Sequence, residues 1–278
     1  MSTQITSSYT DVDGVKIHYR SAGNGPTILL LHGWPTSSFL YRDIIEKVST
    51  KYRVIAMDLP GFGQSDKRLE DSYSFRYHTR VLNGFLKNLE LDQVTLGVHD
   101  MGGPIGLYWM IKNMDKVDRL ILFNTLIYPK FSFMVKLFAL ATVAPGIKTA
   151  LISPWGIKRS MKFGVYQKRK LTDDIIRNYQ APFASQADRQ LLIKTVQRLS
   201  MQAYGEIAKS LPSFKGPVQI LYGEKDKILP DVARTMRKAK VDLPQARIKS
   251  YAHAGHFLQE DVPEELSQEI LDFMDQPA

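Results

Sequence analysis

The chain has 278 residues, 44% of them hydrophobic, and a formal net charge of +9 from 37 Lys and Arg against 28 Asp and Glu. That size and apolar content suit one α/β domain carrying an insertion, and the lack of cysteine excludes disulfides and thiolate metal sites. The polar start MSTQITSSYT has neither the basic head nor the apolar middle of a signal peptide, and no unbroken apolar run reaches about 18 residues, so the expectation is a cytoplasmic protein without a membrane span.

In chain order, DVDGVKIHYR reads as an antiparallel entry turned at Asp13-Gly14. Short apolar runs at 14–19, 27–31, 54–57, 94–98 and 120–123 read as strands, most of them covered on both faces. Two more follow at 218–222 and 246–251. Helical patterns at 43–48, 77–89, 106–112 and 230–239 lie between them. Such alternation predicts an α/β fold with a doubly wound, mainly parallel sheet. It stops near Pro129 and resumes near Gly216. The intervening stretch is helical in pattern and punctuated by Pro145-Gly146, Pro154, Pro182 and Pro212. The expected layout is a core of 1–128 and 214–278 with a helical cap of 129–213, placed where insertions tend to cover a site.

The charge is unevenly spread. Between Lys130 and Lys170 there are nine Lys or Arg and no Asp or Glu. The plain reading is a solvated basic surface. The sharper one is peripheral contact of segment 130–170 with anionic lipid or an acidic partner. Nucleic acid is disfavoured, because these residues are mixed with FSFMVKLFALA rather than set in a recognisable stacking module.

The chemistry centres on VHDMGG. Strand, sharp turn and helix are implied, with Asp100 thrust up at the turn beside the positive end of the helix. A serine is usual at this spacing, yet no Gly-x-Ser-x-Gly occurs; Gly63-Gln64-Ser65-Asp66-Lys67 lacks the second glycine. A carboxylate with an ordinary pKa of ~3.9 is already an anion at neutral pH and needs no base to become a nucleophile. It can displace a leaving group from saturated carbon, after which water activated by a base must cleave the ester. The plainer alternative is that Asp100 only caps the helix.

The partners that such chemistry requires occur downstream. YAHAGHFLQED places His256 in a glycine-turned loop as the base, with His253 the weaker choice. ILYGEKDKILP offers Asp226 to orient the imidazole, ahead of Glu224. Asn124 after the strand at 120–123 leaves no rival carboxylate there. In LLLHGWPTSSFLYR the backbone N–H of Trp34, together with that of Met101, would receive developing negative charge.

These motifs, together with MDLPGFGQSD, resemble the aspartate-nucleophile branch of the α/β-hydrolase superfamily, which contains haloalkane dehalogenases and epoxide hydrolases. The resemblance spans nearly the whole chain. It implies an α/β-hydrolase fold with a helical cap, an Asp100–His256–Asp226 triad, a small-molecule substrate, and neither cofactor nor metal. Both subfamilies usually carry tryptophan directly after the nucleophile, where this chain has Met101. A dehalogenase would then need another halide donor, such as the side chain of Trp34 or Trp155. An epoxide hydrolase would need a cap tyrosine as proton donor; among Tyr166, Tyr179 and Tyr204, the last is the best counterpart. PTSSFLYR and YQAPF favour the dehalogenase side and HGWP the epoxide side, with the balance toward dehalogenase. Ester or lactone hydrolysis and non-catalytic binding of a small molecule are the remaining alternatives, and oligomeric state is open.

Overall fold

A computed structural model describes residues 4–276. Eight strands form one sheet in the order β1-β2-β4-β3-β5-β6-β7-β8. They are β1 (Thr6–Val12), β2 (Val15–Ala22), β3 (Thr27–Leu31), β4 (Arg53–Met57), β5 (Val94–Asp100), β6 (Val117–Thr125), β7 (Val218–Gly223) and β8 (Arg247–Tyr251). β1 and β2 enter antiparallel, and β3 to β8 are parallel. All five residues of β3 are buried, as its unbroken TILLL run requires of a strand covered on both faces.

The helices are α1 (Arg42–Val48), α2 (Phe75–Asn88), α3 (Gly102–Met110), α4 (Phe133–Val143), α5 (Ile147–Leu151), α6 (Pro154–Gly164), α7 (Asp173–Gln180), α8 (Gln186–Gln197), α9 (Met201–Ser210), α10 (Val232–Asp242), α11 (Leu258–Asp261) and α12 (Pro263–Met274). The helix expected at 106–112 begins four residues earlier, at Gly102. The cause is local: a Cβ at Gly102 would sit 2.4 Å from the His32 carbonyl oxygen, so the missing side chain lets the helix start against the β3 turn. α2 is amphipathic, with Ser74 capping its first turn by accepting from the Tyr77 amide. Its inward stripe of Val81, Leu82, Phe85 and Leu86 stabilises by about 1.5–3 kcal/mol per fully buried side chain.

Between β6 and β7 lie α4 to α9 and no strand. Parts of this helical insertion are bolted to the core. Glu260 at α11 takes both guanidinium nitrogens of Arg42, at 2.7 and 2.8 Å, together with the hydroxyl of Tyr179 from α7. Asp261 accepts the amides of Tyr166, Gln167 and Gly255 at 3.0, 2.7 and 2.7 Å. These two adjacent acids thereby tie α6, α7 and the loop before α11 into one body. No helix among the described residues is long and apolar enough to cross a membrane.

Candidate active site

Asp100 ends β5 with φ of 47°, a left-handed conformation that few non-glycine residues adopt. The chain reverses there and α3 begins two residues later. Thr125 at the end of β6 fixes the bend by donating its hydroxyl to the Asp100 carbonyl at 2.7 Å. Room for the side chain comes from Gly33, where a Cβ would lie 2.3 Å from the Asp100 carboxylate. The HG turn that carries Gly33 is held by buried His32, whose Nδ1–H donates to the Gly33 carbonyl while its Nε2 accepts the Leu59 amide. The next amide, that of Trp34, donates to Asp100 Oδ2 at 2.7 Å.

His256 is fully buried on the loop after β8. Its Nδ1 donates to Asp226 Oδ2 at 2.8 Å, and its Nε2 stands 3.6 Å from Asp100 Oδ1 with no protein hydrogen bond. The ring therefore bridges two carboxylates, one in firm contact and one just beyond hydrogen-bond reach. Burial opposes charge on this imidazole, but the anions of Asp226 and Asp100 outweigh it and push the group up to about 10. Burial likewise opposes charge on Asp100; the facing His256 and the Trp34 amide overcome it and hold the carboxyl below its ordinary value.

Asp226 is the best-satisfied acid of the site. Besides His256, it accepts the amides of Ile228 and Leu229 at 2.8 and 2.7 Å and the Asn124 side chain at 2.6 Å. Asn124 also donates to the Gly255 carbonyl and accepts the Gly223 amide. From the end of β6 it thus cross-links the end of β7 and its Asp226 loop to the loop that carries His256. Sequence reading treated Asn124 only as the absence of a carboxylate; its place at a strand end beside the elbow was the usable signal. His99 was missed as well. Its Nε2–H donates to the His256 carbonyl at 2.9 Å, and burial lowers it to about 3, so it packs against His256 as a neutral ring.

A cavity of about 880 Å³ rises above Asp100, walled mainly by apolar side chains such as Met101, Phe131, Met134, Phe138 and Phe163. Two sequence expectations for the leaving group need correction. The Trp34 side chain lines this cavity, but its indole N–H donates to the Leu192 carbonyl of α8 at 3.0 Å and is spent on that helix. Trp155 lies on the first turn of α6, is 64% exposed, carries Arg159 over its ring, and is not part of the cavity wall. Tyr204 of α9, by contrast, lines the cavity together with Asp100, and its hydroxyl makes no protein hydrogen bond among the described residues. Burial raises this phenol, and the Asp100 charge raises it further. Tyr179, the other buried candidate, is committed to Glu260, and Tyr166 is exposed. Among the described residues no group of three or more His, Cys, Asp or Glu is placed to hold a metal ion.

A family model described as the alpha/beta hydrolase fold matches residues 26–263. A haloalkane dehalogenase of Mycolicibacterium paratuberculosis is 31% identical over 94% of this chain and 88% of its own. A cis-3-alkyl-4-alkyloxetan-2-one decarboxylase of Shewanella oneidensis is 29% identical over 94% and 86%. The solved epoxide hydrolase CorEH superposes with a TM-score of 0.84 at 24% identity, covering 98% of this chain and 99% of that one. The eight-stranded sheet, the sharp turn into α3 and these matches together establish that the chain belongs to the α/β-hydrolase family.

Proposed function

We propose that this protein hydrolyses a small apolar electrophile through an ester on Asp100, and that the leaving atom is oxygen, as in a strained cyclic ether. The observation that carries this reading is the Tyr204 hydroxyl on the wall of the Asp100 cavity, where neither candidate indole N–H is available. A halide needs only a donor; an opening ring oxygen needs a proton, and a phenol with a raised pKa keeps one at neutral pH.

In the first step an Asp100 oxygen bonds to a ring carbon, the carbon–oxygen bond breaks, and the oxygen takes the Tyr204 proton. The product is a hydroxyalkyl ester. Ester formation removes the Asp100 charge, so His256 loses one of the two anions that hold its proton, titrates lower and gives that proton up to restore the Tyr204 phenol, which leaves the imidazole competent as a base. Neutral His256, oriented by Asp226, then takes a proton from water, and the hydroxide adds to the Asp100 carbonyl carbon. The Trp34 amide, which already donates to Asp100 Oδ2, and the Met101 amide would receive that oxyanion. Collapse releases a diol, the departing oxygen taking the proton that His256 drew from water; the water oxygen stays in the carboxyl of Asp100, whose own proton then passes to His256.

The test combines three variants with styrene oxide and 1-bromohexane as probes. Asp100→Asn should lower turnover by about 10³-fold or more, and His256→Phe should accumulate an Asp100 adduct equal in mass to the whole of styrene oxide, or to 1-bromohexane less HBr. Tyr204→Phe should lower epoxide opening by about 10²-fold or more while sparing any bromide release. No adduct with any electrophile that the wild type consumes would sink the scheme.

Carbon–halogen hydrolysis is the second reading, favoured by the dehalogenase relative at 31% identity. Bromide release that outpaces epoxide opening, with Tyr204→Phe harmless, would select it. An oxetan-2-one, the substrate class named for the S. oneidensis relative, also opens at a ring oxygen and belongs in the probe set.

A further inference from the structure

α4 reads FMVKLFALATV, apolar on every side but for Lys136 and Thr142, a pattern that normally marks a helix largely enclosed by protein. Here only Thr142 is buried. Phe133 is 75% exposed, Leu140 62%, and Ile147 on α5 57%. Three large apolar side chains in one short arm exceed the scattered exposure normal for a soluble surface.

The charges around this face share one sign. Lys130, Lys136 and Lys148 are exposed, and no ion pair reaches any of them among the described residues. No acid occurs between Lys130 and Lys170 to offset them. Farther along the arm the excess is partly neutralised, since Lys158 pairs with Asp173 at 2.8 Å. The uncompensated charge is thus concentrated beside the exposed apolar helix. The face is also continuous with the cavity: Leu137 and Val143 are exposed and line the cavity wall.

We propose that α4 and α5 dock on an anionic lipid bilayer, with Phe133, Leu140 and Ile147 entering the acyl boundary and Lys130, Lys136 and Lys148 at the phosphate level. A helix lying in the interface is held by this pairing of apolar area with basic charge, and lipid of negative charge is the partner that both features fit. Docking there turns the Leu137 and Val143 edge of the cavity toward the acyl region, so a lipophilic substrate reaches Asp100 without crossing water. The docking itself does not rest on the reaction assigned to Asp100, and its readout requires no turnover.

The full-length Asp100→Asn protein is mixed with sucrose-loaded vesicles of phosphatidylcholine containing 30 mol% (about one-third) phosphatidylglycerol, and with phosphatidylcholine alone, then sedimented. The expected result is co-sedimentation with the anionic vesicles, weakened by salt and by pure phosphatidylcholine. Lys130→Glu with Lys148→Glu, and separately Phe133→Glu with Leu140→Glu, should each lower partitioning about tenfold or more. The same pairs on the wild-type background should leave melting temperature and turnover of a water-soluble probe unchanged. Binding indifferent to phosphatidylglycerol or to both pairs would overturn the proposal, as would no binding. So would self-association in sedimentation velocity that the Phe133→Glu pair abolishes without any vesicle binding, which would assign the face to a second copy of the chain.

Discussion

From α6 to α7 the helical insertion is joined to the core by the buried Tyr179 phenol on Glu260, itself paired with Arg42, and by the Tyr166 and Gln167 amides on Asp261, whereas α4 and α5 meet it through rings and methyl groups. Among the described residues no side-chain hydrogen bond or ion pair links α4 or α5 to the core. The first region shares its bolts with the His256 loop: the His256 amide donates to the Gly164 carbonyl at 2.7 Å, and Gly255 is anchored by Asp261. The lesson is a division of labour within one insertion. One part fixes the base; the other shapes the cavity and its mouth without constraining the chemistry.

The strongest way to break this contrast is Arg42→Met. It leaves buried Glu260 without its cation and should cost about 3–5 kcal/mol in chemical denaturation, the penalty of an uncompensated buried charge. A loss under about 1 kcal/mol would mean that the bolts are ornamental. Next comes Asp261→Ala, which orphans the amides of Tyr166, Gln167 and Gly255. At about 1–3 kcal/mol for a buried donor left unpaired, it should lower stability measurably. It should also lower kcat more than it raises KM, because the His256 loop loses its anchor.

Titration sharpens the contrast from the chemical side. His256 is raised in the folded state to about 10, above its unfolded value of ~6.5. Its contribution to stability is then full below that unfolded value and declines as pH rises toward the folded one. The melting-temperature gap between wild type and His256→Phe should accordingly shrink over this window. In Asp100→Asn, which removes one facing anion, imidazole titration by NMR should move to lower pH. No movement would mean that Asp100 does not hold the proton. The smallest effect is expected at the loose end: Leu140→Gln should stay within about 0.5 kcal/mol of wild type, as surface changes usually do.

Strand ends and chain order made Asp100, Asp226 and His256 legible as one group, and the coordinates bring the three together across β5, β7 and β8. Such residues sit just after buried apolar runs, and a parallel sheet gathers those ends on one edge. Strand positions were readable for the same reason, with 27–31 matching β3 at both ends. Side chains whose surroundings the insertion decides were not. Trp34 reads as a free indole beside the elbow until α8 supplies the Leu192 carbonyl from 158 residues away. Trp155 reads as a cavity donor until α6 turns it outward. Both depend on helix packing, which periodicity does not encode at the level of one ring. Asn124 shows the reverse case, a residue in plain view whose value lies in joining the Asp226 and His256 loops, which meet only after folding.

The left-handed backbone at Asp100 has a practical corollary. Aspartate and asparagine are the non-glycine side chains that most readily accept that twist. An amide in place of the acid therefore keeps the corner intact while deleting only the reactive oxygen anion. A β-branched or bulky substitute would confound lost reactivity with a straightened corner, so any dead variant other than asparagine says little about the reaction.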